Sequence, residues 1–258
     1  MDSQHILTDT PPTADFRLRY GSDANQFGDL RLPKGKGPHP VAVNIHGGYW
    51  RSRYDLTHAG HLCAALAKAG IATWNLEYRR VGNPGGGWPG TFEDITSGLS
   101  FLRQRASDYH LDKNKWIAMG HSAGGQLALC LAAHQQTLRG ALSLAGVVDL
   151  HRAWELHLSN DAVVEFLGGT PDKVSEHYHE ASPAEVAMPH VVQKLIHGTK
   201  DDVVPIEMAR HYRNLKKKRG EHVELIEIPD SGHFDVIDPQ SAAWVTVQKA
   251  VSKLLAQC

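Results

Sequence analysis

From residue 41 onward, short runs of apolar residues alternate with stretches in which apolar residues return every three or four positions. The short runs at 41–45, 71–76, 116–119, 141–144, 191–196 and 223–228 read as strands. Helical spacing covers 57–69, 92–105, 123–134 and 206–217, and a last helix carries Trp244, Val247, Val251 and Leu254 on one face. Strand, helix, strand in this rhythm predicts an α/β fold with a mostly parallel twisted sheet. Right-handed crossovers put helices on both faces and direct chemistry to the loops beyond the carboxyl ends of the strands.

Two segments depart from the rhythm. Ahead of residue 40, strand-like pieces at 16–20 and 28–32 flank a turn rich in Gly, Asp and Asn, the pattern of an opening antiparallel hairpin. Residues 149–188 hold short helical patches around Trp154, Phe166, Leu167 and Tyr178 but no clear strand, and read as a helical cap inserted over the site. With 258 residues and no internal repeat, the expectation is a single domain spanning 1–258 with 149–188 as its cap. The glycine-dense stretch at 82–90 lacks the Gly-Lys-Ser/Thr ending of a phosphate loop and reads as an ordinary loop.

Charge narrows the partners. A formal net charge of −1 gives no field to collect nucleic acid or anionic lipid, so neither a nucleic acid nor a membrane is expected as a partner. The run Lys216-Lys217-Lys218-Arg219 closes a predicted helix, where it reads as solvated charge complementing the helix dipole. Cys63, Cys130 and Cys258 read as two buried thiols and a free tail. Residues 1–13 carry Asp2, Asp9 and Pro11-Pro12 instead of a basic head and apolar stretch, so a cytoplasmic location is expected. The oligomeric state is left open, a homodimer being one option.

The strongest chemical signal is Gly120-His121-Ser122-Ala123-Gly124-Gly125, a G-x-S-x-G between a predicted strand and a predicted helix. A serine on so sharp a turn needs small neighbours two residues away on either side, and Gly120 and Gly124 supply them. The turn would lift the Ser122 hydroxyl clear of the sheet while the new helix aims its free N–H groups, beginning with Ala123, at a developing negative charge. The plainer reading, a serine that merely caps a helix, fits the pattern but not its context.

A serine hydroxyl needs an imidazole to take its proton and a carboxylate to orient that imidazole. His197-Gly198-Thr199-Lys200-Asp201-Asp202 follows one predicted strand and Pro229-Asp230-Ser231-Gly232-His233 follows another, which makes Asp201 the candidate acid and His233 the candidate base. Asp202 remains the alternative acid; as the second of two adjacent carboxylates it is expected to face outward and cap the helix that Pro205 opens. The 17 histidines raise the question of a metal, but there is no H-E-x-x-H, and the pairs His58/His61 and His177/His179 lack a completing ligand set, so no metal is expected.

His46-Gly47-Gly48-Tyr49-Trp50 follows the first parallel strand, where two glycines let backbone amides face a substrate. The amides of Gly48 and Tyr49, with that of Ala123, are the oxyanion candidates; His46, Gly47, Trp50 and His121 are the candidate substrate-binding positions. Packing is the alternative role for Tyr49 and Trp50.

Together these motifs resemble the α/β-hydrolase superfamily over most of the chain, from Val41 to the last helix, and the order Ser122, Asp201, His233 is the order of that superfamily. The loop beginning at His46 looks like that of the animal-type kynurenine formamidases and is similar to the His-Gly-Gly-Gly loop of hormone-sensitive-lipase-like esterases, with Tyr49 in place of the third glycine. The resemblance implies cofactor-free hydrolysis of small carboxylic esters through an acyl-serine, with arylformamidase activity on N-formyl aromatic amines as the alternative. A peptidase resembling the prolyl-oligopeptidase catalytic domain, here without its propeller, and a non-catalytic binding protein on a hydrolase fold are further readings.

Overall fold

Alternate residues of the central strands face opposite sides of the sheet, and both sides are apolar: Val41, Val43 and Ile45 belong to one core cluster while Ala42, between them, belongs to the other. Such strands can only be buried between two helical layers. The computed structural model, which describes residues 3–257, has that architecture.

The strands are β1 (Phe16–Arg19), β2 (Phe27–Arg31), β3 (His39–Ile45), β4 (Ala72–Leu76), β5 (Leu111–His121), β6 (Gly140–Leu144), β7 (Val192–Gly198) and β8 (Val223–Ile228). They form one eight-stranded sheet in the order β1-β2-β4-β3-β5-β6-β7-β8. The β1–β2 hairpin is antiparallel, as its turn predicts, and β2 pairs antiparallel with β4; β4, β3 and β5 to β8 are parallel. This is the α/β-hydrolase fold.

The helices are α1 (Gly60–Lys68), α2 (Gly90–Gln104), α3 (Ala123–His134), α4 (Leu150–Glu155), α5 (Ala162–Leu167), α6 (Ser175–Ala181), α7 (Ile206–Lys218) and α8 (Trp244–Gln257). Helices α2, α3 and α7 cover one face through Leu99, Leu127 and Tyr212; α1 and α8 cover the other through Leu62, Leu66, Val247 and Val251. Helix α3 is buried along 123–132, which explains its nearly all-apolar sequence. The segment between β6 and β7 is helical, and Phe166, Leu167, Tyr178 and Met188 join the same core as α2 and α3.

Three local readings change. The helix expected over 57–69 is a 3-10 turn, Leu56–Ala59, capped by Asp55, and only then α1, whose first residue, Gly60, packs against Pro11 with no room for a side chain. Strand β5 starts five residues before the predicted run, since its stretch 113–115 is polar and exposed and gives no apolar signal. Lys216 is not solvated: its side chain is buried, Nζ donates to the Val186 carbonyl, and Glu221 lies 3.3 Å away. The Cys63 and Cys130 thiols are buried, and burial pushes them up to about 11 and about 12. Cys258 lies outside the described residues.

Register sets up the site. Ile45, the last residue of β3, pairs with both Leu76 and Gly120, so the loop after β3 and the turn after β5 leave the sheet side by side. Gly198 pairs with Ile228, which does the same for the loops after β7 and β8.

Candidate active site

Ser122 sits at φ 56°, ψ −122°, a conformation L-residues seldom adopt. The turn survives because its neighbours have no side chains. A Cβ on Gly120 would run into the Gly124 carbonyl, and one on Gly124 into the carbonyls of Ile45 and His46. The Ser122 N–H donates to the Leu144 carbonyl at 2.9 Å, tying the turn to β6. Gly124→Ala is therefore expected to destabilise the protein by about 3 kcal/mol or more, because backbone atoms and not flexible side chains would have to move. Urea unfolding measures it; a loss within about 0.5 kcal/mol would sink this account of the turn.

His233 Nδ1 lies 2.8 Å from Asp201 Oδ2, and the Asp201 side chain is fully buried. The other carboxylate oxygen, Oδ1, accepts the N–H groups of Val203 and Val204 at 2.9 and 2.8 Å. Burial alone would raise this carboxyl, but hydrogen bonds from His197 and His233 outweigh it and hold Asp201 well below the usual carboxylate range. Asp202 is exposed. His197 Nε2 stands 3.1 Å from Asp201 Oδ2 and 2.8 Å from the Val204 carbonyl, an orienting contact that the sequence reading passed over.

His121 lies against the base, with its ring centroid 4.5 Å from that of His233 and Nε2 3.0 Å from the His233 carbonyl. Donation from Nε2–H to that carbonyl leaves Nδ1 as a bare acceptor, and no protein group partners it. Burial lowers the His121 imidazole well below its ordinary value and lowers His58 to about 4, the charge of His46 adding to the fall at His58.

The loop after β3 is held from behind. His46 is buried: Nε2 lies 3.1 Å from Glu77 Oε1 and Nδ1 2.7 Å from the Gly47 carbonyl. The Tyr78 ring stacks on it at 4.4 Å while the Tyr78 hydroxyl donates to the His46 carbonyl. Trp50 is also buried, donating from Nε1 to Gln126 Oε1 at 2.9 Å and stacking on Phe166 at 4.5 Å. His46 and Trp50 thus hold the loop from behind: neither is among the residues that line the cavity beside Ser122, and their ring nitrogens are spent on internal partners.

Gly48, Tyr49 and Trp50 all have positive φ, at 114°, 49° and 58°. Gly47 approaches the turn so closely that a Cβ on it would stand 3.0 Å from the Ser122 Cβ and 2.8 Å from the His121 carbonyl. Among the described residues, no protein acceptor takes the N–H groups of Gly48, Tyr49 or Ala123. The Tyr49 hydroxyl donates to the Val203 carbonyl at 3.0 Å, so the candidate oxyanion loop and the acid loop brace one another.

Ser122, His121, His233, Gly48 and Tyr49 line one cavity of about 400 Å³, in the range of small-molecule sites. A larger cleft of about 640 Å³ lies between α4 and α7 and contains none of the triad candidates. Among the described residues, no group of three or more His, Cys, Asp or Glu is arranged to hold a metal ion, and no helix is long and apolar enough to cross a membrane.

The buried imidazoles couple the site to acid stability. Unfolded, His58 binds a proton near its ordinary 6.5; folded, only near 4, so the unfolded state holds more protons in that interval and stability falls as pH drops through it. Asp201 acts in the same direction at lower pH, below its ordinary 3.8. From roughly pH 7 to pH 5, His58 alone is expected to cost about 2 kcal/mol. Urea midpoints across that range should fall less steeply in His58→Gln; equal slopes would rule the assignment out.

Comparison with known proteins gives the family and the fold. The family model BD-FAE matches residues 29–215. Esterase LipC of Mycobacterium tuberculosis is 28% identical over 247 residues, covering 86% of this chain and 60% of its own length. The probable isoprenylcysteine alpha-carbonyl methylesterase ICME of Oryza sativa subsp. japonica is 26% identical over 246 residues, covering 84% of this chain and 57% of its own. The chain thus spans less than two thirds of the length of these relatives. Among solved structures, an inhibited form of esterase B of Lactobacillus rhamnosis superposes with a TM-score of 0.84 at 18% identity over 99% of this chain and 91% of that one. A truncated carbohydrate esterase from gut microbiota gives 0.81 at 20% identity over 96% and 98%. At such identities these structures speak for the fold alone.

Proposed function

The chain belongs to the BD-FAE family, and from that premise we propose that it is a serine hydrolase that cleaves small carboxylic esters through an acyl-enzyme. The observation that carries the reading is that Ser122 and His233 open onto one cavity while His233 Nδ1 is held by the buried carboxylate of Asp201. The names of the esterase relatives support the same class.

In this mechanism Ser122 Oγ attacks the ester carbonyl and its proton passes to His233 Nε2. Asp201 keeps the other ring proton on Nδ1 and stabilises the imidazolium. The carbonyl oxygen becomes an oxyanion held by the N–H groups of Gly48, Tyr49 and Ala123, which have no protein acceptor among the described residues. The C–O bond to the alcohol breaks as Nε2 returns the proton to the leaving oxygen. Water then attacks the acyl-serine, giving its proton to Nε2, and the acid leaves as Ser122 regains a hydrogen.

The loop His46-Gly47-Gly48-Tyr49-Trp50 keeps arylformamidase activity as the second reading, since the same residues would cleave an N-formyl amine. Specificity constants for p-nitrophenyl acetate and N-formylkynurenine, measured side by side with Ser122→Ala as blank, separate the two. A higher Ser122-dependent rate on the ester is expected. A dominant formamide rate would replace this reading with the second, and no Ser122-dependent rate on either would remove both.

A further inference from the structure

The wall of the catalytic cavity carries two guanidinium groups, those of Arg51 and Arg53, and, among the described residues, no carboxylate. Arg51 is already neutralised: Nε and Nη2 donate to the two oxygens of Glu165 at 2.7 and 2.9 Å, and Nη1 donates to Ser159 Oγ at 3.0 Å. Arg53 differs. It is exposed, its guanidinium carbon stands 5.5 Å over the Tyr54 ring, and among the described residues it has neither an ion-pair partner nor a hydrogen-bond acceptor.

Two buried acids close to the triad, Asp201 and Glu77, have other partners and do not pair with Arg53. Asp201 is sealed behind His233 with its side chain fully buried, and Glu77 is spent on His46 and Arg80 behind the loop. His58 and His121, also on the wall, are kept neutral by burial. A cavity wall with one open positive charge attracts an anion locally, although the whole chain carries a formal net charge of only −1.

We propose that Arg53 is a specificity residue that receives a carboxylate on the substrate, so that the preferred esters of this site carry an acidic group. The proposal rests on the serine-hydrolase reading above. A planar guanidinium offers parallel N–H donors that match a carboxylate edge, and the Tyr54 ring beneath it limits the conformations lost on binding. One free guanidinium suits a singly charged group; a phosphate dianion would call on a second donor, and the Arg51 fork is occupied by Glu165.

The acid can sit on either side of the scissile bond, and two substrate pairs separate the sources. Mono-p-nitrophenyl succinate against p-nitrophenyl butyrate places the charge on the acyl side; 4-acetoxybenzoate against 4-acetoxybenzamide places it on the alcohol side. For at least one pair, the anionic-to-neutral ratio of kcat/KM should fall about tenfold in Arg53→Gln and be partly restored in Arg53→Lys. Raising the salt should compress the wild-type ratio. Ratios that move by less than about twofold in both pairs would overturn the proposal.

Binding separates this outcome from failure of the hydrolase reading. In a Ser122→Ala background, calorimetric titration with 4-acetoxybenzoate and mono-p-nitrophenyl succinate should show binding that weakens about tenfold when Arg53→Gln is added. Arg53-dependent binding without any Ser122-dependent turnover would remove the hydrolase reading and keep the carboxylate site. Turnover with Arg53-independent ratios and binding would do the reverse.

Discussion

Ser122→Ala is expected to lower ester hydrolysis by about a millionfold, to the little that an oxyanion hole and a binding cavity achieve without a nucleophile. The Ser122 hydroxyl stands on the turn whose backbone is forced to φ 56° at the carboxyl edge of the sheet. Alanine meets the same backbone strain as serine there, and the hydroxyl enters no hydrogen bond that holds the turn, which hangs on the Ser122 N–H and carbonyl instead. Stability should therefore change by no more than about 0.5 kcal/mol. Initial rates on p-nitrophenyl acetate together with thermal melts check both halves. A variant that melts like the parent and keeps more than about a tenth of the rate would show that Ser122 is not the nucleophile.

That prediction could be framed from the sequence because its parts are local. The elbow is six consecutive residues, and the reason for its glycines is a clash between atoms only a few residues or one strand apart. The central parallel strands were legible for a similar reason: burial on both faces leaves β3 and the end of β5 almost wholly apolar, whereas β8 carries Glu224 and Glu227 and is only partly buried. Strand order was not, because the placement of β4 between β2 and β3 is a choice among non-local pairings that no single strand encodes. His197 was hidden because it closes a strand, and only the tight return of its loop brings it to Asp201 four residues later.

Lys216 exposes a conflict between two signals. Spacing puts it on the stripe of Met208 and Tyr212, which is buried, while its charge argues for solvent. Spacing wins because Glu221 and the Val186 carbonyl satisfy the ammonium group internally. Trp50 shows the same limit in the other direction. An aromatic beside two glycines in a candidate oxyanion loop reads as a substrate contact, yet Gln126 and Phe166, which claim it, are 76 and 116 residues away in the chain. Arg53 has no sequence signal at all, since what singles it out is the absence of a partner in space.

Asp201→Asn is the second large effect, an expected loss of about ten thousandfold in kcat. The argument runs through proton placement. The carboxylate accepts at every position: Oδ1 from the N–H groups of Val203 and Val204, Oδ2 from His233 Nδ1. An asparagine oxygen can keep the two backbone donors, which leaves the amide NH2 facing His233. Donor then faces donor unless His233 gives up its Nδ1 proton and carries it on Nε2, and Nε2 must be bare to accept the proton of Ser122. The fold should persist because His197 retains the Val204 carbonyl as acceptor at 2.8 Å. Loss of the low-lying carboxyl should also flatten the decline of stability in acid below its ordinary 3.8, since Asp201 no longer takes up a proton on unfolding. Asp202→Asn is the control: its side chain is exposed, and its rate should stay within about threefold of the parent. A comparable collapse in Asp202→Asn with Asp201→Asn near the parent rate would transfer the role to the neighbouring acid and with it overturn the geometry on which the mechanism depends.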